Sequence, residues 1–343
     1  MRLVFLYRYF LPFFLTIGII VSLSFFSSPY EVNSTVSGIS SSSEYTGPFS
    51  EPDDAKPSIP AETDVLTIPL KNAGRLFMIE AIIDNQSGNL IFDSGATGLV
   101  MNRTYFRKYV KTDIQNSNGI TGPVAEVETI NLGKVNVSGL TFTNIPASLA
   151  DLGHIENRRG IKVLGLIGFE YLRDFEIVID ASNNELQLHR IDSRGNRISE
   201  TVRSFQPDIT QPFEVVKNIV FLKGTIGGKM LRFCLDTGAE TNVISSHSSK
   251  TVLSTISIDR KSNLSGAGQN SVEVLFGIMN DFNFGGHQLK NMEAIITHLD
   301  ALNEAYGVQI DGMLGYNFLT KGALCINFTK KQFGMKFLKT ELK

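Results

Sequence analysis

The sequence predicts a mostly β protein of two similar lobes, related by a pseudo-two-fold axis and each containing a short helix. Three observations support this fold class. Short apolar or alternating runs separated by turn-forming residues begin near residue 64. A block at residues 165–188 recurs at residues 312–335. In each half an apolar run ends in an aspartate followed by small residues, at Asp93 and at Asp236.

Composition sets the limits of size and partner class. The chain has 343 residues, which is long enough for two lobes, and its 42% hydrophobic and 19% charged residues are ordinary globular values. The formal net charge is -2, and no long basic run is present. Because phosphate neutralisation needs clustered Lys and Arg, we expect no nucleic-acid partner.

The N-terminal residues 1–28 predict a signal peptide or a membrane anchor. Arg2 and Arg8 precede residues 11–26, an apolar run without charges whose length lies between a signal-peptide core and a full membrane span. We therefore expect export to the periplasm or the extracellular space. Cleavage of the segment and tethering of the protein to the membrane by it both stay open.

A flexible linker is predicted over residues 29–63. Ser, Pro and acidic residues dominate this stretch, and apolar periodicity is missing from it. Such a composition buries too little apolar surface to offset the entropy cost of ordering the chain.

The internal repeat defines the domain organisation. The first lobe is predicted at residues 64–193, an inter-lobe linker at 194–211 and the second lobe at 212–343. In each copy a glycine-flanked strand leads into a short helix and then a strand pair. The strand pairs are predicted to turn at Asn183-Asn184 and at Lys330-Lys331.

The two repeated aspartates are the candidate catalytic residues. Duplicated units tend to pack about a two-fold axis, which would bring Asp93 and Asp236 together. Two carboxylates in contact do not both ionise easily, so the pair shares a proton and offers a general base beside a general acid. Such a pair suits the direct addition of water to a peptide bond.

The residues after each aspartate are predicted to support the site. Gly95 and Gly238 let the backbone pass close to the carboxylates and direct N–H groups at them. Ser94 and Thr237 carry hydroxyls that can hydrogen-bond across the pseudo-two-fold axis.

Taken together, the motifs "DSGA" at 93–96 and "DTGA" at 236–239 resemble the active-site triplets of aspartic proteases. The segments "LIG" and "MLG", which end in Gly168 and Gly315, are similar to the second signature of that family. The Ala after each triplet resembles bacterial retropepsin-like aspartyl proteases, in a single-chain two-lobed form. The resemblance implies an acid-protease-like fold, one Asp from each lobe, and a β-hairpin flap over the substrate.

The resemblance also implies candidate flaps. Gly119 and Gly122 would flank the hairpin tip of the first lobe, and Gly266 and Gly268 occupy the corresponding place in the second. Neither tip carries the tyrosine of pepsin-like flaps, and an ordinary exposed hairpin is the alternative in each case.

Other reactive side chains give weaker signals. Cys234 and Cys325 each lie in an apolar run, which favours two buried thiols over one disulfide. The five histidines are scattered and form no H-E-x-x-H motif, so no metal site is predicted. Glu240, four residues after Asp236, is expected either to touch substrate backbone or to form a surface salt bridge.

The sequence thus predicts an aspartic endopeptidase, a hydrolase that needs no cofactor. The expected substrate is a polypeptide bound in an extended form, and the expected state is a monomer with two lobes. One alternative is a catalytically inactive pseudoprotease that acts as an extracytoplasmic peptide-binding module. Another is a one-lobe enzyme that dimerises, against which the intact second motif argues.

Overall fold

The computed structural model describes residues 24–26, 63–96, 98–119, 122–199, 205–265, 271–339 and 341. Most of the predicted N-terminal segment and of the predicted linker lies outside these residues. None of the helices in the described part of the chain combines the length and apolar character needed to span a bilayer.

The described residues of the first half of the chain form short strands and three brief helical segments. In chain order these are β1 (Ser24–Phe26), β2 (Val65–Pro69), β3 (Lys71–Ala73), β4 (Leu76–Ile83), β5 (Gln86–Phe92), β6 (Leu99–Asn102), α1 (Arg103–Phe106), β7 (Lys111–Gly119), β8 (Gly122–Val137), β9 (Leu140–Ala150), α2 (Gly153–Arg159), β10 (Val163–Ile167), a 3-10 turn (Glu170–Leu172), β11 (Phe175–Asp180) and β12 (Glu185–Arg190).

The second half repeats this pattern with small differences. Its elements are β13 (Ile209–Pro212), β14 (Glu214–Val216), β15 (Ile219–Ile226), β16 (Lys229–Leu235), β17 (Asn242–Ser245), α3 (Lys250–Leu253), β18 (Ile256–Ser265), β19 (Ser271–Met279), β20 (Phe282–Phe284), β21 (His287–Leu289), β22 (Met292–Thr297), α4 (Asp300–Tyr306), β23 (Gly312–Leu314), α5 (Tyr316–Leu319), β24 (Gly322–Asn327) and β25 (Gln332–Phe337).

Each lobe is built on its own sheet, and the two sheets have equivalent topology. The first has the order β1-β7-β8-β9-β6-β10-β5-β4-β3, and the second has the order β18-β19-β22-β17-β23-β16-β15-β20-β21 with β14 beside β15. In the first lobe β10 lies parallel to β5 and antiparallel to β6. In the second, β23 lies parallel to β16 and antiparallel to β17. The predicted mostly β, two-lobed class is confirmed.

A third sheet joins the lobes. Its order is β13-β25-β24-β11-β12-β2, so each lobe contributes its last hairpin. The hairpins meet where β11 pairs antiparallel with β24, with Ile177 opposite Ile326. Both hairpins turn where predicted, with positive φ at Asn184 (54°) and Lys331 (48°). The predicted inter-lobe linker, residues 194–211, therefore ends inside this sheet as β13.

The core is continuous between the lobes. Phe169 of the first lobe packs edge-on against Phe328 of the second, with ring centroids 5.7 Å apart. On another side, Phe77 contacts Tyr316 across the lobes at 5.5 Å. Cys234 and Cys325 are buried free thiols, as the apolar runs around them favour.

Candidate active site

Equivalent strands carry the two aspartates to the centre of the molecule. Asp93 directly follows β5 and Asp236 directly follows β16. The parallel neighbouring strand fixes each backbone, since Asp93 N–H donates to the Ile167 carbonyl at 3.0 Å and Asp236 N–H to the Leu314 carbonyl at 2.9 Å. Both side chains are buried, with 0% and 1% of the residue exposed.

Each catalytic turn lies against the carboxyl group of the other lobe, and each carboxyl shifts the pKa of the other. The Gly95 N–H donates to Asp93 Oδ1 and the Gly238 N–H donates to Asp236 Oδ1, both at 2.9 Å. A Cβ at Gly95 would lie 2.9 Å from Asp236 Cγ, and one at Gly238 would lie 2.5 Å from Asp93 Cγ. Glycine is therefore required at both positions, because each backbone passes directly against the opposite carboxylate.

Burial makes the pair hard to ionise. Desolvation raises the pKa of Asp93 to about 6, although contacts with Asp236 and with backbone N–H groups oppose the shift. Desolvation and then the Asp93 charge raise the pKa of Asp236 well above its usual range. The pair is thus expected to hold one shared proton near neutral pH. The second oxygen of each carboxyl, Oδ2, is buried and has no hydrogen-bond partner among the described residues.

A reciprocal hydroxyl network lies beneath the pair. Ser94 N–H donates to Thr237 Oγ1 at 2.8 Å, and Thr237 N–H donates to Ser94 Oγ at 2.9 Å. Each hydroxyl then donates across the lobes, Ser94 to the Leu235 carbonyl at 2.9 Å and Thr237 to the Phe92 carbonyl at 2.7 Å. These bonds confirm the predicted crossing of hydroxyls, and they fix the two turns to each other.

The second-signature glycines close around the same turns. A Cβ at Gly168 would lie 2.1 Å from the Ala96 carbonyl oxygen, and one at Gly315 would lie 2.7 Å from the Ala239 carbonyl oxygen. The Gly315 N–H donates to buried Asn242 Oδ1 at 2.9 Å. No larger residue fits between signature strand and catalytic turn.

The candidate flap residues of the first lobe, Gly119 and Gly122, lie at the end of a β-hairpin. Strands β7 and β8 pair antiparallel up to Gly119 opposite Gly122. In the second lobe, β18 and β19 pair up to Ser265 opposite Ser271. Gly266 and Gly268 lie outside the described residues.

Two ion pairs across the lobes flank the site, and the sequence did not reveal them. Glu240 binds Arg159 of α2, and their side chains are only 13% and 16% exposed. The surface salt bridge expected for Glu240 is thus a largely buried one. Arg75 binds Glu293 through two bonds of 2.5 and 3.0 Å. The partners of each pair are far apart in the sequence. Only Glu240 was a candidate from the sequence, because it lies four residues after Asp236.

The histidines do not stay scattered in the fold. Among the described residues, one group could hold a metal ion: His247, His298 and Asp300, all exposed. A cavity of about 360 Å³ adjoins His247, and its wall is formed by Ser245, His247, Ser248, Asn303, Gly307, Val308, Gln309, Ile310 and Asp311.

Comparison with known proteins gives a family-model match in tandem. The model described as "Aspartyl protease" matches residues 79–171 and again residues 222–318, together more than half of the chain. Each match contains one of the two aspartates. No curated protein sequence matches significantly.

Among solved structures, the chain is similar in fold to an aspartic proteinase from Irpex lacteus. The identity is 11% and the TM-score 0.52, and the match covers 80% of this chain and 98% of the other. At this identity the similarity establishes the fold, which in both proteins is two-lobed within one chain.

Proposed function

We infer that this chain, which belongs to the aspartyl protease family, is an active endopeptidase that hydrolyses peptide bonds with Asp93 and Asp236. The observation that carries the proposal is that two buried carboxyls, one from each lobe, each lie against the catalytic turn of the other lobe and have an Oδ2 without a partner among the described residues. Such a pair is costly to bury, and a shared proton together with a bound water is the chemistry that makes it useful.

The reaction would proceed without a covalent intermediate. The ionised carboxyl accepts a proton from the water as the water oxygen attacks the peptide carbonyl carbon. The protonated carboxyl donates its proton to the carbonyl oxygen. In the collapse of the resulting gem-diol, the carboxyl that took the water proton gives it to the amide nitrogen, the other carboxylate accepts a proton from a gem-diol hydroxyl, and the C–N bond breaks. The pair is then left with its single proton. No charge needs to leave the buried site during this cycle.

The supporting residues hold the pair in geometry rather than react. Ser94 and Thr237 fix the distance between the two turns through their four bonds. Gly95 and Gly238 donate N–H groups to Oδ1, which leaves each Oδ2 for the water and the substrate. Gly168 and Gly315 pack against the same turns.

The substrate is proposed to be a polypeptide bound as an extended strand. Extended peptides pair with exposed strand edges through main-chain hydrogen bonds, with alternate side chains in pockets. The β7–β8 hairpin, which narrows at Gly119 and Gly122, is the proposed flap of the first lobe. The segment around Gly266 and Gly268 is proposed for the second.

A cleavage assay with two variants tests the activity. We expect the full chain to cleave a mixed peptide library between pH 3 and 7, and Asp93→Asn and Asp236→Asn each to lower the rate at least about 10³-fold. Asp281→Asn, whose half-buried carboxylate accepts a hydrogen bond from the Gly227 N–H, is the matched control and should keep full activity.

The same variants separate the enzyme from a pseudoprotease. In the pseudoprotease alternative, peptide binding survives in all variants while the wild type cleaves nothing. Unfolding measured at pH 8 excludes misfolding as an explanation, because Asn removes a buried charge and should leave the fold at least as stable. A stable, peptide-binding wild type with no cleavage product would contradict the proposal.

We also propose that the protein is exported and works as a monomer. The basic and apolar features of residues 1–28 support export, with tethering as the alternative to cleavage. The presence of both aspartates in one chain supports the monomer. Cell fractionation with N-terminal sequencing tests the first point, and light scattering of the active species tests the second.

A further inference from the structure

The strand arrangement of the second lobe brings two histidines together. Strands β17 and β22 lie parallel, with Ser245 opposite Thr297 at their last residues. The chain leaves both strands at the same sheet edge, where Ser246 N–H donates to the Thr297 carbonyl at 2.8 Å. His247 and His298, the second residue after β17 and the first after β22, therefore stand side by side.

The ring nitrogens of this pair converge. His247 Nε2 lies 3.2 Å from His298 Nδ1, and Ser246 Oγ lies 2.9 Å from the same Nδ1. On the other side of the first ring, His247 Nδ1 lies 3.3 Å from Asp300 Oδ1. One ligand atom from each of His247, His298 and Asp300 lies within 4.8 Å of the others.

We propose that His247, His298 and Asp300 form a binding site for a divalent transition metal ion of the zinc type. A tetrahedral zinc ion with Zn–N bonds of about 2.0–2.1 Å holds two nitrogen ligands about 3.3 Å apart. His247 Nε2 and His298 Nδ1 already stand at that separation. A carboxylate on Nδ1 of a ligating histidine fixes the tautomer that presents the Nε2 lone pair, and Asp300 occupies this place.

The remaining coordination positions face solvent. The His247 and Asp300 side chains are 59% and 65% exposed, so the ion can enter freely and water can complete its shell. The metal would link His247, in the loop between β17 and α3, to His298, the residue that follows β22. Because β17 begins six residues after Asp236, the site would stabilise the segment that follows the second catalytic turn.

Metal titration of the full chain tests this proposal. After chelator treatment and dialysis, we expect one Zn²⁺ per chain by calorimetry, visible absorption bands of tetrahedral Co²⁺, and no uptake of Mg²⁺, which prefers oxygen ligands. Saturating Zn²⁺ should also raise the melting temperature, since the ion binds the folded state.

Variants locate the ion. His247→Gln and His298→Gln should each weaken Zn²⁺ binding more than about tenfold, and Asp300→Asn about tenfold. His287→Gln, which changes a histidine of the hairpin formed by β20 and β21, is the matched control and should bind as the wild type does. Because the side chains of His247, His298 and Asp300 are exposed, their variants should keep the wild-type fold, which circular dichroism checks.

Two outcomes would overturn the site. One is a wild type that takes up no Zn²⁺ and shows no change in melting temperature. The other is undiminished Zn²⁺ affinity in both His247→Gln and His298→Gln, which would place the ion elsewhere.

Discussion

The hydroxyl groups of Ser94 and Thr237 each serve two hydrogen bonds in a buried place. Thr237 Oγ1 accepts from the Ser94 N–H and donates to the Phe92 carbonyl, and none of these groups can turn to water instead. A buried donor or acceptor that loses its partner costs about 1–3 kcal/mol. The network therefore contributes more to the joining of the lobes than its small size suggests.

Replacing Thr237 with Val tests this contribution. The shape is kept but two buried groups lose their partner, so we expect the free energy of unfolding to fall by about 2–5 kcal/mol. Thr237→Ser keeps the oxygen and should cost only about 1 kcal/mol for the missing methyl group. Urea unfolding measures both, and equal losses in the two variants would show that packing, not hydrogen bonding, dominates.

The raised pKa values of the aspartate pair predict the pH range of activity. The pair is active when it carries one proton. As the pH rises, Asp93 loses its proton with a pKa of about 6, whereas Asp236 stays protonated to higher pH. We therefore expect kcat/KM to fall as the pH drops below about 6 and to persist at neutral pH. A pH–rate profile with a fluorogenic peptide checks this, and a maximum near pH 3 would contradict it.

At the residue scale, the sequence identified the two aspartates as candidates but not the ion pairs around them. Asp93 and Asp236 stood out because a buried acid after an apolar strand is physically expensive and occurred twice. The partner of Glu240 did not stand out, because Arg159 lies in a helix of the other lobe. Local sequence carries no signal for such a contact.

At the scale of elements, glycine positions decide how closely strand and turn approach. The catalytic turn of one lobe packs its backbone on the carboxylate of the other, and this approach needs a residue without Cβ at Gly238. A methyl group there would lie 2.5 Å from Asp93 Cγ, so either the turn or the carboxyl must shift.

Gly238→Ala should therefore abolish cleavage while the chain still folds. We expect a loss of at least about 10²-fold, since a displacement of about 1 Å in a catalytic group has that effect. Gly228→Ala is a useful control because nothing lies within 4 Å of its added Cβ, although its φ of 70° brings backbone strain. Cleavage by Gly238→Ala at the wild-type rate would show that the aspartates need no such contact.

Element prediction worked best where turn residues are specific. The hairpin at Asn183-Asn184 appears as expected, because Asn readily accepts the positive φ of such a turn, and the hairpin at Lys330-Lys331 turns at the matching place of the internal repeat. Helices α2 and α4 were missed. Each has only seven residues and both lack a side-chain N-cap, so neither periodicity nor capping marks them in the sequence.

At the scale of the whole molecule, buried ionisable groups set opposite responses to acid. His189, 2% exposed in the inter-lobe sheet, has its pKa lowered from 6.5 to about 4, first by desolvation and then by Arg197, against the opposing charge of Glu176. Between those pH values His189 is protonated in the unfolded chain and neutral in the folded chain, so a fall in pH lowers the stability of the fold. The pKa of Asp93, raised from 3.8 to about 6, has the opposite sign, because the folded chain takes up the proton.

Substitution of either group should leave the effect of the other on the pH dependence of the melting temperature. In His189→Gln we expect the melting temperature to fall less between pH 6.5 and pH 4 than in the wild type. In Asp93→Asn the melting temperature should fall more than in the wild type, because this variant lacks the proton uptake that favours the folded state in acid. Melting curves at several pH values measure all three proteins, and parallel curves would contradict the assignment.

The shared sheet makes a single unfolding transition the expected behaviour of the described lobes. Five residue pairs join β11 to β24, and the hydrophobic core runs through both lobes on either side of that seam. Neither last hairpin can keep its place in the six-stranded sheet when the other unfolds, so the lobes should lose structure together.

Calorimetry should give equal calorimetric and van't Hoff enthalpies. Ile326→Ala opens a cavity at a buried position between β11 and β24. This variant should lower the free energy of unfolding by about 2–5 kcal/mol and still unfold in one transition. Two resolved transitions in the wild type would mean that each lobe is stable without its partner, and the repeat would then be two domains and not two halves of one.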